Sequence, residues 1–207
     1  MTPRLYFGGS FDPVHIGHLR VAIEVHQRLQ LPVRMLPVAD PVHRSGLLAE
    51  ASQRLAMLRI ATKGIDGIVV DSTEITLGPP TFSSRTLATL ADRFPGVPLG
   101  FIVGADAFAG IARWRNYPEV LDQCHFVVIN RPGTRDLSQI LHPYSSRLVD
   151  HWKQWQQPGG MILSLTIPPL DISATEVRDC LTGGGNARYL VPDAVLEFIE
   201  NSGIYGG

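Results

Sequence analysis

Residues 8–18 read Gly8-Gly9-Ser10-Phe11-Asp12-Pro13-Val14-His15-Ile16-Gly17-His18 and follow directly on an apolar run, Leu5 to Gly8. The run predicts a buried first strand closed by Gly8-Gly9, and the stretch from Gly17 to Leu29 predicts a helix. That helix is apolar almost all round through Leu19, Val21, Ala22, Ile23 and Val25, so it should be buried. Glycines straight after a strand let a phosphate approach backbone N–H groups. His15 and His18 stand three apart where the helix begins, on one side of its first turn and at its positive pole. Such a grouping suits a polyphosphate whose charge must be stabilised during transfer. Plainer readings compete: a simple strand-to-helix turn, a capping histidine, or a zinc pair. Zinc needs three or four ligands, and no Cys or further His stands at ligand spacing.

Outward from this turn, short apolar runs alternate with helical stretches. Strands are expected at Val33–Val38, Ile68–Asp71, Leu99–Val103, Cys124–Asn130 and Ile162–Ile167. Helices are expected at Ser52–Thr62 (Leu55, Leu58 and Ala61 on one face, Gly64 as its stop), Ser84–Phe94, Ser173–Leu181 and Pro192–Ser202. This alternation implies an α/β fold with a doubly wound parallel sheet, whose ligands bind at the carboxyl ends of the strands. The stretch 131–160 lacks clear strands and reads as a helical insertion. With no repeat and no linker, residues 1–207 are expected to form one domain.

Composition removes several function classes. The chain has 207 residues and a formal net charge of -1, and its 18 cationic residues are 16 Arg and 2 Lys. Neither Lys63 nor Lys153 follows the last glycine of a phosphate-binding loop, so the Gly-Lys-Ser/Thr type is excluded. A lysine-rich nucleic-acid patch is excluded by the same count. Arg in place of Lys leaves room for forked, bidentate anion binding. Cys124 and Cys180 make neither a metal spacing nor a disulfide framework and fit a reducing cytoplasm. The N-terminus shows neither a signal peptide nor a membrane span.

A second segment, Ile172-Ser173-Ala174-Thr175-Glu176-Val177-Arg178, contains a capping box in Ser173 and Glu176. The box leaves Thr175 and Arg178 unexplained. A cation near a helix N-terminus gains nothing from the dipole unless an anion sits there too. With a phosphate bound, Ser173, Thr175, Arg178 and the free N–H groups can converge on it.

The first segment resembles the G-G-[ST]-F-D-P-x-H-x-G-H signature of the nucleotidyltransferase superfamily, and the second resembles its I-S-[AST]-T-x-[IV]-R signature. Within that superfamily the chain is similar to the bacterial nicotinate-nucleotide adenylyltransferases over nearly its whole length. Pro80-Thr81-Phe82-Ser83, Ile102-Val103-Gly104-Ala105-Asp106, Trp114, Asn130-Arg131-Pro132-Gly133 and Gly203-Ile204-Tyr205 all have counterparts there. The resemblance implies a Rossmann-like nucleotidyltransferase fold and a reaction of ATP, with Mg²⁺, and nicotinate mononucleotide. It implies that Gly8, Gly9, Ser10 and Phe11 hold ATP through backbone groups and that His15 and His18 stabilise the triphosphate. Ser173, Thr175 and Arg178, with Ile172, would hold the departing pyrophosphate, and Asp106 would bind a ribose. His15, His18 and Arg178 would be the catalytic residues. Trp114 would stack on the pyridine, Phe82 and Ser83 would lie near the nicotinate ribose and carboxylate, and Asp40, His43 and Arg44, in a loop with a basic tip, would also bind the nicotinate nucleotide. No protein metal site is implied.

The chain departs from the pattern in three places. Val42 stands where a proline is usual, Phe82 where a tyrosine is usual, and Ser83 where a threonine is usual. The lost tyrosine hydroxyl removes one hydrogen bond from nicotinate selection and leaves the transfer chemistry untouched. Rival acceptors are nicotinamide mononucleotide and phosphopantetheine, and a non-catalytic nucleotide sensor is the alternative of a different class. His15-Ile16-Gly17-His18 also spells the HIGH motif of class I aminoacyl-tRNA synthetases. Those have a lysine-rich loop and an RNA-binding domain, and this chain has neither the lysines nor the length.

Overall fold

The computed structural model describes residues 1–39, 47–130, 137–155, 159–168 and 170–206. The elements run β1 (Arg4–Gly9), α1 (Ile16–Leu29), β2 (Val33–Pro37), α2 (Ala51–Thr62), β3 (Ile68–Val70), α3 (Thr73–Leu77), α4 (Ser83–Arg93) and β4 (Leu99–Gly104). They continue with α5 (Ala105–Ala109), α6 (Tyr117–Gln123), β5 (His125–Asn130), α7 (Leu137–Leu141), β6 (Leu148–Val149), β7 (Ile162–Thr166), α8 (Ala174–Thr182) and α9 (Asp193–Ser202). The strands form one 7-stranded sheet in the order β3-β2-β1-β4-β5-β7-β6, and every pairing is parallel.

Both faces of the central strands β1, β2, β4 and β5 are largely buried, which is why they read as continuous apolar runs. Side chains alternate between two cores. Leu5, Val33, Met35, Ile102, Val127 and Leu163 join residues of α1, α2 and α9. Tyr6, Leu36, Phe101, Val103, Phe126 and Val128 join residues of α4, α5 and α6. The chain order reverses direction between β1 and β4, which are direct neighbours. Ligands of such sheets bind in the crevice outside the strand ends at that reversal. The first motif lies at the carboxyl end of β1, and Asp106 follows the carboxyl end of β4.

Two expectations are corrected. The buried face of α2 is Arg54, Met57, Leu58, Ala61 and Thr62, and Leu55 lies partly exposed beside it. The apolar pattern placed Leu55 inward because a buried arginine is invisible to hydropathy. Short helices α3, α5 and α6 occupy stretches for which the sequence predicted no element. Between residues 137 and 155 there is a helix, and also the two-residue strand β6, which pairs Leu148 with Ile162 and Val149 with Leu163. A strand of two residues shows no period. Among the described residues no helix is long and apolar enough to cross a membrane.

Candidate active site

The β1–α1 turn is built around Asp12, whose side chain is fully buried. Its Oδ2 accepts the backbone N–H of Leu48 at 3.0 Å, and its Oδ1 accepts that of Ala49 at 3.1 Å. Tyr205 donates its hydroxyl to the same Oδ1 at 2.5 Å. One carboxylate thus ties the turn to the approach to α2 and to the end of the chain. Burial, then the hydrogen bond and charge of Asp12, push the Tyr205 hydroxyl far above its ordinary pKa.

Phe11 sits within this turn at φ 48°, a left-handed conformation uncommon outside glycine, with its ring wholly buried. That ring meets His18 edge-on at 4.9 Å between centroids, and a Cβ on Gly9 would stand 2.9 Å from it. Glycine at 9 is therefore required by the close approach of Phe11. Arg54 supports the turn from below. Its guanidinium, fully buried, donates to the carbonyls of Ser10 at 2.7 Å, Ala39 at 2.7 Å and Ala49 at 3.3 Å.

His15 caps α1 in an extended conformation, and its ring stacks on that of His18 with centroids 3.6 Å apart. The backbone N–H of His15 donates to His18 Nδ1 at 3.3 Å. An accepting Nδ1 fixes the neutral His18 as the Nε2–H tautomer, so Nε2 is its donor. Gly17 is needed between the histidines: a Cβ there would lie 3.0 Å from His15 Nδ1 and 3.1 Å from its Cε1.

The second motif folds against the first. Ser173 and Glu176 form the expected capping box: Glu176 Oε2 accepts the Ser173 N–H and hydroxyl, each at 2.8 Å, and Ser173 Oγ accepts the Glu176 N–H at 3.2 Å. The Ser173 hydrogen bonds hold the Glu176 carboxyl below its ordinary pKa. The Ile172 carbonyl is 3.5 Å from where a Gly17 Cβ would be, so the two helix starts adjoin. Arg178 Nη1 donates to the Asp12 carbonyl at 2.7 Å and stands 4.0 Å from Asp12 Oδ2, while Nη2 donates to Thr175 Oγ1 at 3.2 Å. Residues 166 positions apart are thereby locked together.

The remaining candidates are placed as follows. Asp106 is exposed in the first turn of α5. Phe82 caps α4 and Ser83 begins it. Trp114 is half-buried and packs edge-on against Phe126 at 6.4 Å, the core-capping role that any such tryptophan can have. The Arg115 guanidinium lies 4.6 Å from the Phe82 ring centroid, so the segments carrying Phe82 and Trp114 meet there. Phe82 and Arg115 also line a cavity of about 660 Å³. Asp40, His43, Arg44 and Arg131 lie outside the described residues. Sequence reading missed Arg54 and the partners of Asp12. A signal for Arg54 existed in its spacing from Met57, Leu58 and Ala61, which places it on the buried helical face.

A doubly wound parallel sheet with a glycine-rich turn after its first strand defines an α/β protein of the nucleotide-binding class. The profile described as Cytidylyltransferase-like matches residues 6–180. A protein of Pseudomonas syringae described as "Probable nicotinate-nucleotide adenylyltransferase" is 40% identical over 96% of this chain and 91% of its own length. One of Stenotrophomonas maltophilia, with the same description, is 37% identical over 99% of this chain and 97% of its own. The chain belongs to the cytidylyltransferase-like family, among its nicotinate-nucleotide adenylyltransferases. The fold is also that of the Plasmodium falciparum nicotinic acid mononucleotide adenylyltransferase solved with NaAD (TM-score 0.80, 19% identity, 99% and 98% of the two chains).

Proposed function

We propose that the protein transfers the adenylyl group of ATP to the 5′-phosphate of nicotinate mononucleotide, in the cytoplasm, as one step of NAD synthesis. A phosphate oxygen of the mononucleotide attacks the α-phosphorus; that P–O bond forms as the bond to the β-phosphate oxygen breaks, and pyrophosphate leaves. An attacking phosphate is already ionised near neutral pH, so no general base is required. The work is alignment of two anions and neutralisation of the leaving group.

The observation that carries this reading is the tie between Arg178 and the Asp12 carbonyl, which gathers the starts of α1 and α8 at the reversal of the sheet. Gly8, Gly9, Ser10 and Phe11 present backbone to the nucleotide in this proposal. His18 donates through Nε2, with His15 stacked on it. Ser173, Thr175, Arg178 and the first N–H groups of α8 receive pyrophosphate, and Asp106 meets a ribose. Phe82, Ser83 and Trp114 flank the pyridine nucleotide.

Among the described residues no three His, Cys, Asp or Glu side chains stand together as a metal cage, and the Asp12 carboxylate is held by two N–H groups and a phenol. In this proposal Mg²⁺ enters with ATP as part of the substrate, bound to the triphosphate.

Pyrophosphate release from MgATP with nicotinate mononucleotide, nicotinamide mononucleotide and phosphopantetheine in parallel tests the reading. Release with the nicotinate compound, at least about tenfold faster than with the others, is expected from one lost charge-assisted contact. Faster release with another acceptor reassigns the substrate, and ATP binding without release with any of them identifies a sensor.

A further inference from the structure

A second polar cavity, of about 500 Å³, opens beside the β2–β3 edge of the sheet on the face that carries Tyr6, and none of the nucleotide-site candidates lines it. Arg4, Arg34 and Arg93 line it, together with the hydroxyl residues Ser72, Thr76 and Thr89. Tyr6 pairs with Arg34 and Arg34 with Val69, so the three residues share this face. Val69 is 48% exposed, which marks the helical layer as open here.

The three guanidiniums have interactions but no carboxylate partner within ion-pair distance among the described residues. Arg4 Nε donates to the Tyr6 hydroxyl at 3.1 Å, and its guanidinium lies 3.6 Å from the Phe94 ring centroid. Arg93 lies over the same ring at 5.2 Å and reaches Thr73 Oγ1 at 3.5 Å. Arg34 reaches the Pro32 carbonyl at 3.5 Å. Asp71 also borders the cavity, but its Oδ1 is held by the backbone N–H of Thr73 at 2.9 Å and the Thr73 hydroxyl at 2.5 Å. Three cations thus face one anion, Asp71, and a net positive charge remains.

We infer that this cavity binds a small phosphoryl oligoanion, held by the forks of Arg4, Arg34 and Arg93 and by the neighbouring hydroxyls. Arginine forks match phosphate oxygens in pairs, and such bonds are about twice as strong as neutral ones. Burial, and next the charge of Arg4, hold the Arg34 guanidinium below its ordinary pKa. An anion between them offsets that repulsion, as Asp71 does only in part. The site is independent of the transfer reaction proposed above.

Calorimetric titration of inorganic pyrophosphate into the full chain, near physiological salt, tests it by difference. The wild-type isotherm should contain one more binding event than that of the Arg34→Met/Arg93→Met variant. Arg93→Ala, at an exposed position, should weaken that event about tenfold or more without changing the melting curve, which keeps the test valid if the double variant folds poorly. Orthophosphate and sulfate arms should bind the same event more weakly. Identical isotherms for wild type and Arg93→Ala, or equal non-saturating uptake of sulfate and pyrophosphate, overturn the site. Pyrophosphate release with nicotinate mononucleotide is measured separately, so failure of either reading leaves the other standing.

Discussion

Tyr205 and Asp12, 193 residues apart, share a hydrogen bond of 2.5 Å between the phenol and a fully buried carboxylate. The end of the chain therefore holds the turn on which the candidate active site is built. Removing the hydroxyl in Tyr205→Phe deprives Asp12 of one partner in a place water does not reach. A loss of about 1–3 kcal/mol in unfolding free energy is expected. Urea denaturation checks it, and an unchanged midpoint would remove the proposed brace.

The same phenol sets an alkaline limit. Tyr205 and Tyr6 both have pKa values raised mainly by burial, so the folded protein holds their protons more tightly than the unfolded chain does. Their contribution to stability is complete below the unfolded value of about 10 and declines as pH rises above it. Absorbance at 295 nm during an alkaline titration follows tyrosine ionisation in the folded protein. Tyr6 and Tyr205 should ionise only with unfolding, and the Tyr205→Phe protein should lose part of the decline in stability.

The histidine pair allows chemistry to be separated from stability. His18→Ala should lower turnover about 10²–10³-fold, the effect of losing one transition-state donor. Gly17→Ala should act through geometry: its Cβ would stand 3.0 Å from His15 Nδ1, so the ring that stacks on His18 must shift. Alanine favours a helix by up to about 1 kcal/mol over glycine, so the variant should melt no lower than wild type. Its turnover should still fall, because the shifted ring disturbs the stacked pair that presents His18. Wild-type turnover in Gly17→Ala would show that the stacked arrangement is not required.

Arg54→Met should be the most damaging of these changes to stability. It keeps an unbranched side chain in the core but leaves the Ser10, Ala39 and Ala49 carbonyls without their guanidinium. About 3 kcal/mol of destabilisation is expected from buried acceptors left unsatisfied. Chemical denaturation measures it, and a loss below about 0.5 kcal/mol, the range of surface substitutions, would contradict the bracing role.

Much of the fold was legible locally. The short apolar run ending at Gly8-Gly9, followed by the longer apolar Leu19 to Val25 stretch, reads as a buried β–α unit by length and by the glycines between, and the later strands repeat the first. The five-residue helices α3 and α5 and the two-residue β6 are shorter than a recognisable period, so tertiary contacts decide them. Leu55 was placed inward and Arg54 overlooked because hydropathy does not anticipate an arginine whose three nitrogens each donate to a carbonyl, two of them in segments before α2.

The candidate site divides along the same line. Sequence by itself determined what is encoded within a few residues: the glycine-rich turn, His15 and His18 on one helical turn, the Ser173–Glu176 box, and the absence of a phosphate-loop lysine. These depend on dihedral preferences, helix periodicity and side-chain reach, which are local. Only the tertiary structure decided that Arg178 closes on the Asp12 carbonyl, that Tyr205 and the Leu48 and Ala49 N–H groups share the Asp12 carboxylate, and that three arginines converge at the β2–β3 edge. Those relationships join residues that the chain separates widely, and only the packing of the sheet between its two helical layers brings them within hydrogen-bonding or electrostatic range.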